Sequence, residues 1–199
     1  MTQGAPLQFV APEEAARANL YGLVARLFYA APDAQLISEL LSSPALEGEG
    51  ELAAAWREMV GACASAFPAA LESEHMELFI GTGRAPVTPY LSHYVLKHAK
   101  DAPLVDLRIQ LAAWGIARRG GVAEYEDHIS GVCETMRFAI AVQQRTPEEQ
   151  KVFFERFIYR GATGLCDAVS ASNQARFYRR VARFARAFFE VEKVAFEIV

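Results

Sequence analysis

Glu124-Tyr125-Glu126-Asp127-His128-Ile129 is the densest chemistry in this chain, with three carboxylates running up to one imidazole. Carboxylates at a helix start favour its positive end, and Asp127 reads as the capping residue. The same residue types can also pair an arginine or handle a proton. The cluster comes after Gly120-Gly121, a pair that reads as a hinge or subdomain joint. A second break in the pattern is Ile80 to Tyr90, with two glycines and two prolines in eleven residues. Glycine supplies unusual backbone angles there, and proline stiffens the chain beyond it.

Other chemistries fail on spacing. A di-metal carboxylate bundle needs a Glu-x-x-His pair on each of two helices. Glu72 and His75 supply one pair and no second exists. His93 and His98 lie five apart, on different faces of a helix. Cys133 lies five residues after His128, about 140° around a helix, and falls in an apolar stripe, so it reads as buried. Cys63 falls in another stripe, and Cys166 has no evident partner. Gly81-Thr82-Gly83-Arg84 lacks the Lys-Ser or Lys-Thr ending and the preceding strand of a phosphate loop. Arg176, Arg179, Arg180, Arg183 and Arg186 line the last helix opposite its phenylalanines and read as a solvated face, not a nucleic-acid patch.

Helices must position these groups. Leu20, Val24, Leu27 and Phe28 mark a first helix from Pro12, and Leu36, Leu40 and Leu41 a second. Leu52, Trp56, Met59 and Cys63 mark a third, and a fourth is expected from Leu71 to Phe79. Leu104, Leu107, Leu111 and Trp114 mark another; Ile129, Val132, Met136 and Ile140 mark a long one. Thr146, Pro147 and Glu149 form a capping box. The last helix is expected to open near Asn173, with Phe177, Val181, Phe184 and Phe188 as its stripe. No segment alternates like a strand, so the chain reads as all-α with seven to ten helices.

Composition agrees. Of 199 residues, 52% are hydrophobic and 22% charged, a globular balance. Residues 1–80 carry 11 acids against 3 bases, and residues 81–199 carry 13 against 17, giving −8 and +4 within a net −4. No apolar run is long enough for a membrane span, and Met1 to Pro12 lacks the charge and apolar core of a secretory signal. Three cysteines, an odd number, suit a reducing cytoplasm.

Glu77-Leu78-Phe79-Ile80-Gly81-Thr82-Gly83-Arg84-Ala85-Pro86-Val87-Thr88-Pro89-Tyr90-Leu91-Ser92-His93-Tyr94 resembles the first signature of the TorD/DmsD family of redox-enzyme maturation chaperones. Glu124 to Ile129 resembles its second, and Tyr21, Val24, Leu27 and Phe28 fit its early apolar stretch. Two departures, Leu91 for a frequent Glu and Tyr125 for a frequent Pro, lie inside the signatures and bear on client choice. The resemblance implies a compact multi-helix bundle, one domain over 1–199 with possible subdomains 1–119 and 122–199. It implies a cytoplasmic protein that is no enzyme and needs no cofactor, save weak guanine nucleotide binding in some members. Its partner would be the apo-form of a molybdoenzyme catalytic subunit, held through its twin-arginine signal peptide until cofactor insertion. The chaperone would be a monomer or a domain-swapped homodimer. Glu124, Glu126 and Asp127 would supply carboxylates for the arginines, and Leu78, Phe79, Pro89, Tyr90 and Tyr94 an apolar groove. Pro86 would shape the loop, and Ser92 would line the site or cap the helix after it. His128 either tunes release with pH or fixes Asp127 by a hydrogen bond. The competing readings are a small helical nucleotide-binding protein or hydrolase using Asp127 and His128, and a plain helical interaction module.

Overall fold

The computed structural model describes residues 11–81, 83, 85–96, 102–118 and 124–198, and among these the chain forms ten α-helices and two π-helical turns. The all-α reading holds. Gly120 and Gly121, the expected hinge, lie outside the described residues, as do Thr82 and Arg84.

Proline in the first turn, with Glu13 and Glu14, opens α1 (Pro12–Tyr29) as its sequence requires. Tyr21, Val24, Leu27 and Phe28 are buried, while Leu20 sits only half-buried beside them. After α2 (Ala34–Ser42) comes α3 (Glu51–Cys63), whose Trp56 meets Phe184 of α10 (Phe177–Glu197) at 5.5 Å. Helix α7 (Ile129–Ala141) lies along α1, and α10 packs on α3 and on α9 (Arg160–Ala171). Phe184, Phe188 and Phe189 of α10 are fully buried, each stabilising the fold by about 1.5–3 kcal/mol.

One charged group sits inside this core. Glu192 is 2% exposed, and Arg17 donates to its two oxygens from Nε at 2.8 Å and Nη2 at 2.7 Å. Tyr21 Oη donates to the same carboxylate at 2.9 Å. A buried carboxylate is tolerable because it is paired and hydrogen-bonded.

Two helix starts show different solutions to unpaired backbone N–H groups. The capping box expected at Thr146 opens α8 (Pro147–Phe153), with Thr146 and Glu149 bonded reciprocally at 3.3 and 3.1 Å. Helix α10 begins at Phe177, later than its apolar stripe suggests. The carboxylate of Glu74 accepts from the backbone N–H groups of Arg176, Phe177 and Tyr178 at 2.8, 3.1 and 2.8 Å. Glu74 lies on α4 (Pro68–His75), so the cap comes from a distant part of the chain.

The single helix expected over Leu71 to Phe79 is α4 continued by a π-helical turn, Met76–Ile80. The backbone N–H of Gly81 closes that turn on the carbonyl of Met76 at 2.7 Å, and Gly81 leaves it at φ 64°, a conformation that favours glycine. A second π-helical turn, Phe154–Tyr159, joins α8 to α9. Two shorter elements, α5 (Ser92–Val95) and α6 (Pro103–Ala113), lie between the two signature segments.

Candidate functional site

The two segments singled out by their chemistry are zipped together. The backbone N–H of Leu91 donates to the carbonyl of Asp127 at 2.9 Å, and that of Ile129 to the carbonyl of Pro89 at 3.0 Å. Tyr90 and His128 face each other between these bonds as an antiparallel bridge. Side chains lock the same join. Tyr90 Oη donates to Glu124, and Ser92 Oγ donates to Oδ2 of Asp127. The Tyr90 ring stands edge-on to His128 at 5.4 Å and tilted against Tyr125 at 6.0 Å. Burial, and then the bond to Glu124, raise the Tyr90 phenol above its usual range.

Close packing on α9 holds this join in place. A Cβ on Gly161 would lie 2.9 Å from the Leu91 carbonyl oxygen, and one on Gly164 would lie 2.8 Å from Tyr94 Cβ. These glycines were not singled out in the sequence. Their spacing of three on a helix, which puts both on one face, is the signal that could have found them.

Several expected roles are corrected. The cap of α7 is His128, not Asp127: its Nδ1 accepts from the Ser130 N–H at 3.2 Å. Asp127 cannot cap because both its carbonyl and Oδ2 turn back to residues 91 and 92. His128 therefore does not fix Asp127. Burial lowers its pKa, while Glu124 and Asp127 pull it upward. Ser92 does not cap α5; it is that helix's first residue, and its hydroxyl reaches Asp127. Leu78 and Phe79 line no groove. The π-helical turn aims both inward, and Phe79 meets Tyr178 at 5.1 Å and Phe28 at 5.8 Å in the core. Tyr94 is half-buried over α9, where its hydroxyl donates to the Thr88 carbonyl at 2.8 Å and burial pushes its phenol up to about 12. Pro89 is buried within the join, and Pro86 is exposed.

A groove of about 610 Å³ opens beside the join. Its apolar walls are Tyr29 at the end of α1, Ile116 beyond α6, Tyr125, and Phe138 of α7. Tyr29 is 61% exposed and Phe138 40%. Glu124, Glu126 and His128 contribute its polar side. Glu126 pairs with Arg108 at 2.9 Å, which holds its carboxyl below the usual range. Asp127 does not line this groove; its Oδ1 is buried without a hydrogen-bond partner. Sequence reasoning missed Tyr29 and Phe138. For Phe138 the signal is a large apolar residue off the Ile129–Ile140 stripe.

The other candidates resolve into structure. His75 packs against Phe79 and Tyr178 at 5.2 and 5.6 Å, with Nε2 buried and unpartnered. All three cysteine thiols are free and buried. A larger groove, about 840 Å³, runs along the outer face of α10 past Leu52, Val191 and Val194, and neither signature segment contributes to it. The arginine row borders it, already paired: Arg183 with Glu51 at 2.7 Å and with Glu58, and Arg186 with Asp167. No helix among the described residues is long and apolar enough to cross a membrane.

Comparison with known proteins gives two findings. A family described as the nitrate reductase delta subunit matches residues 46–190. A crystal structure from Archaeoglobus fulgidus, described as a redox enzyme maturation protein, superposes with a TM-score of 0.56 at 17% identity, covering 96% of this chain and 97% of that one. At that identity the likeness is one of fold. No curated protein matches the chain.

Proposed function

The chain belongs to the nitrate reductase delta subunit family, the TorD-like chaperones, and from that premise we propose that it is a maturation chaperone for a molybdenum-cofactor oxidoreductase. It binds the twin-arginine signal peptide, or a related N-terminal segment, of the apoenzyme in the cytoplasm and holds it until the cofactor is inserted. Its work is binding and release, not catalysis, and guanine nucleotide would be at most an accessory ligand.

The observation that carries this reading is the joining of both signature segments at the edge of one groove with exposed aromatic walls and carboxylates. A twin-arginine segment has a basic start and an apolar continuation. Guanidinium groups pair well with carboxylates because their planar fork makes two hydrogen bonds at once. The apolar continuation would lie along Tyr29, Ile116 and Phe138, in the manner of a helix in a groove. Asp127, Ser92 and the Tyr90/His128 bridge act as the frame of this site, holding the rim from behind.

Calorimetric titration with a panel of twin-arginine peptides, and Lys-Lys counterparts as controls, tests the proposal. One peptide should bind in the micromolar range, and Tyr29→Ala or Phe138→Ala should weaken it about tenfold, as loss of an interface aromatic does. Both side chains are largely exposed, so the helical spectrum should survive. Binding by no peptide, or binding indifferent to both changes, would overturn the proposal.

A further inference from the structure

Every carboxylate of the groove already has a companion within the chain. Its lining holds Glu124, Glu126 and Glu134 against Arg26, Arg118 and Arg137. A groove balanced in this way has little long-range pull on a basic peptide. One pairing is of a different kind. Arg108 does not line the groove, yet it reaches Glu126 from α6, and both its Nε and Nη2 donate to Oε2 at 3.1 and 2.9 Å. Arg108 is 47% exposed and Glu126 16%, so the carboxylate is the anchored partner and the arginine the movable one.

We infer that Arg108 is a resident competitor for the client's arginine: peptide binding exchanges one guanidinium for another on Glu126. This rests on the peptide-binding reading above. The structure already shows what Glu126 takes, because a guanidinium sits on it. Both Arg108 nitrogens converge on a single oxygen, whereas two parallel bonds to both oxygens are the stronger geometry for such a pair. An incoming guanidinium that adopts the parallel geometry can displace Arg108. An ammonium group, a point charge without the fork, competes less well. The resident arginine thus raises a threshold against cations in general, a form of specificity by exclusion. It also favours release, since Arg108 stands ready to recapture Glu126, and a chaperone must let go of its client.

The test is a double-mutant cycle on the full chain, read by affinity and dissociation rate for the bound twin-arginine peptide. Arg108→Gln should tighten binding about fivefold, the upper range for a partly exposed ion pair, chiefly through slower dissociation. Glu126→Gln should weaken binding, and adding Arg108→Gln to it should restore nothing. Arg57→Gln removes the same charge from an exposed site on α3 and should leave affinity unchanged. An unchanged affinity in Arg108→Gln, an equal gain from Arg57→Gln, or a gain that survives Glu126→Gln would each overturn the competitor role while peptide binding stands. Absence of binding by the wild type and all variants would remove the peptide reading and this inference with it.

Discussion

The Ser92 hydroxyl donates to the carboxylate of Asp127, thirty-five residues further along the chain. The bond lies inside the only antiparallel pairing among the described residues, so it ties one signature segment to the other. Ser92→Ala would leave both oxygens of a 5%-exposed carboxyl group without a side-chain donor. The expected loss is about 1–3 kcal/mol, the penalty for a buried acceptor stripped of its partner. Urea denaturation checks it. A midpoint equal to the wild type would show that the bond does not hold the join.

Gly161→Ala should destabilise the protein, although alanine is the better helix former. The new Cβ meets Leu91 backbone, which cannot move aside as a flexible side chain would. Overpacking of this kind costs about 1–3 kcal/mol. Gly61→Ala on α3 is the matched control, because nothing lies within 4 Å of its Cβ position. There the change should stabilise by up to about 1 kcal/mol. Equal effects at the two glycines would contradict the close approach of residues 91–94 to α9.

Removing one partner of the buried Arg17–Glu192 pair should be among the most damaging single changes. Arg17→Met would leave Glu192 in the core with only the Tyr21 hydroxyl, and a loss of about 3–5 kcal/mol is expected. Thermal unfolding of Arg17→Met beside an Arg17→Met, Glu192→Met double variant separates the lone charge from the lost pair. The double variant should recover much of the loss.

Acid should weaken the fold before any carboxylate titrates. Burial lowers the pKa of both His75 and His128 below 6.5, so the unfolded chain takes up protons first as pH falls. Stability is therefore fully present above about pH 6.5 and declines as pH drops through the folded values. For His75 the reason is concrete: a proton on Nε2 would be buried without an acceptor, among aromatic rings. Urea midpoints from about pH 7.5 down to about 5 should fall in the wild type, and less steeply in His75→Phe. Identical slopes would remove His75 from the account.

What was legible in the sequence was what neighbours in sequence determine. Thr146-Pro147-Glu149 announces its helix because donor and acceptor lie three residues apart. The stripe of Tyr21, Val24, Leu27 and Phe28 gives the buried face of α1 because one helical period decides it. The importance of the two signature segments was also readable, through the family they resemble. Their junction was not, since Ser92 and Asp127 meet only in the fold. The start of α10 was misplaced because its cap, Glu74, lies about a hundred residues earlier. The groove walls were missed for the same reason: Tyr29 and Phe138 belong to different helices and come together only when α1 lies along α7.

The π-helical turn at Met76–Ile80 works as a shift of phase. One residue more than an α-helix would use is wound into that turn, and everything after it leaves the helix rotated by about 100°. Leu78 and Phe79 point inward, and Met76 and Ile80 outward, because of that added step. The loop carrying Pro89, Tyr90 and Ser92 inherits its bearing from the same place. The angle at which the first signature meets the second is thus set by the length of one turn, well before either signature begins its contact. Deleting a single residue between 76 and 80 would keep every side chain of the join and still point them past their partners.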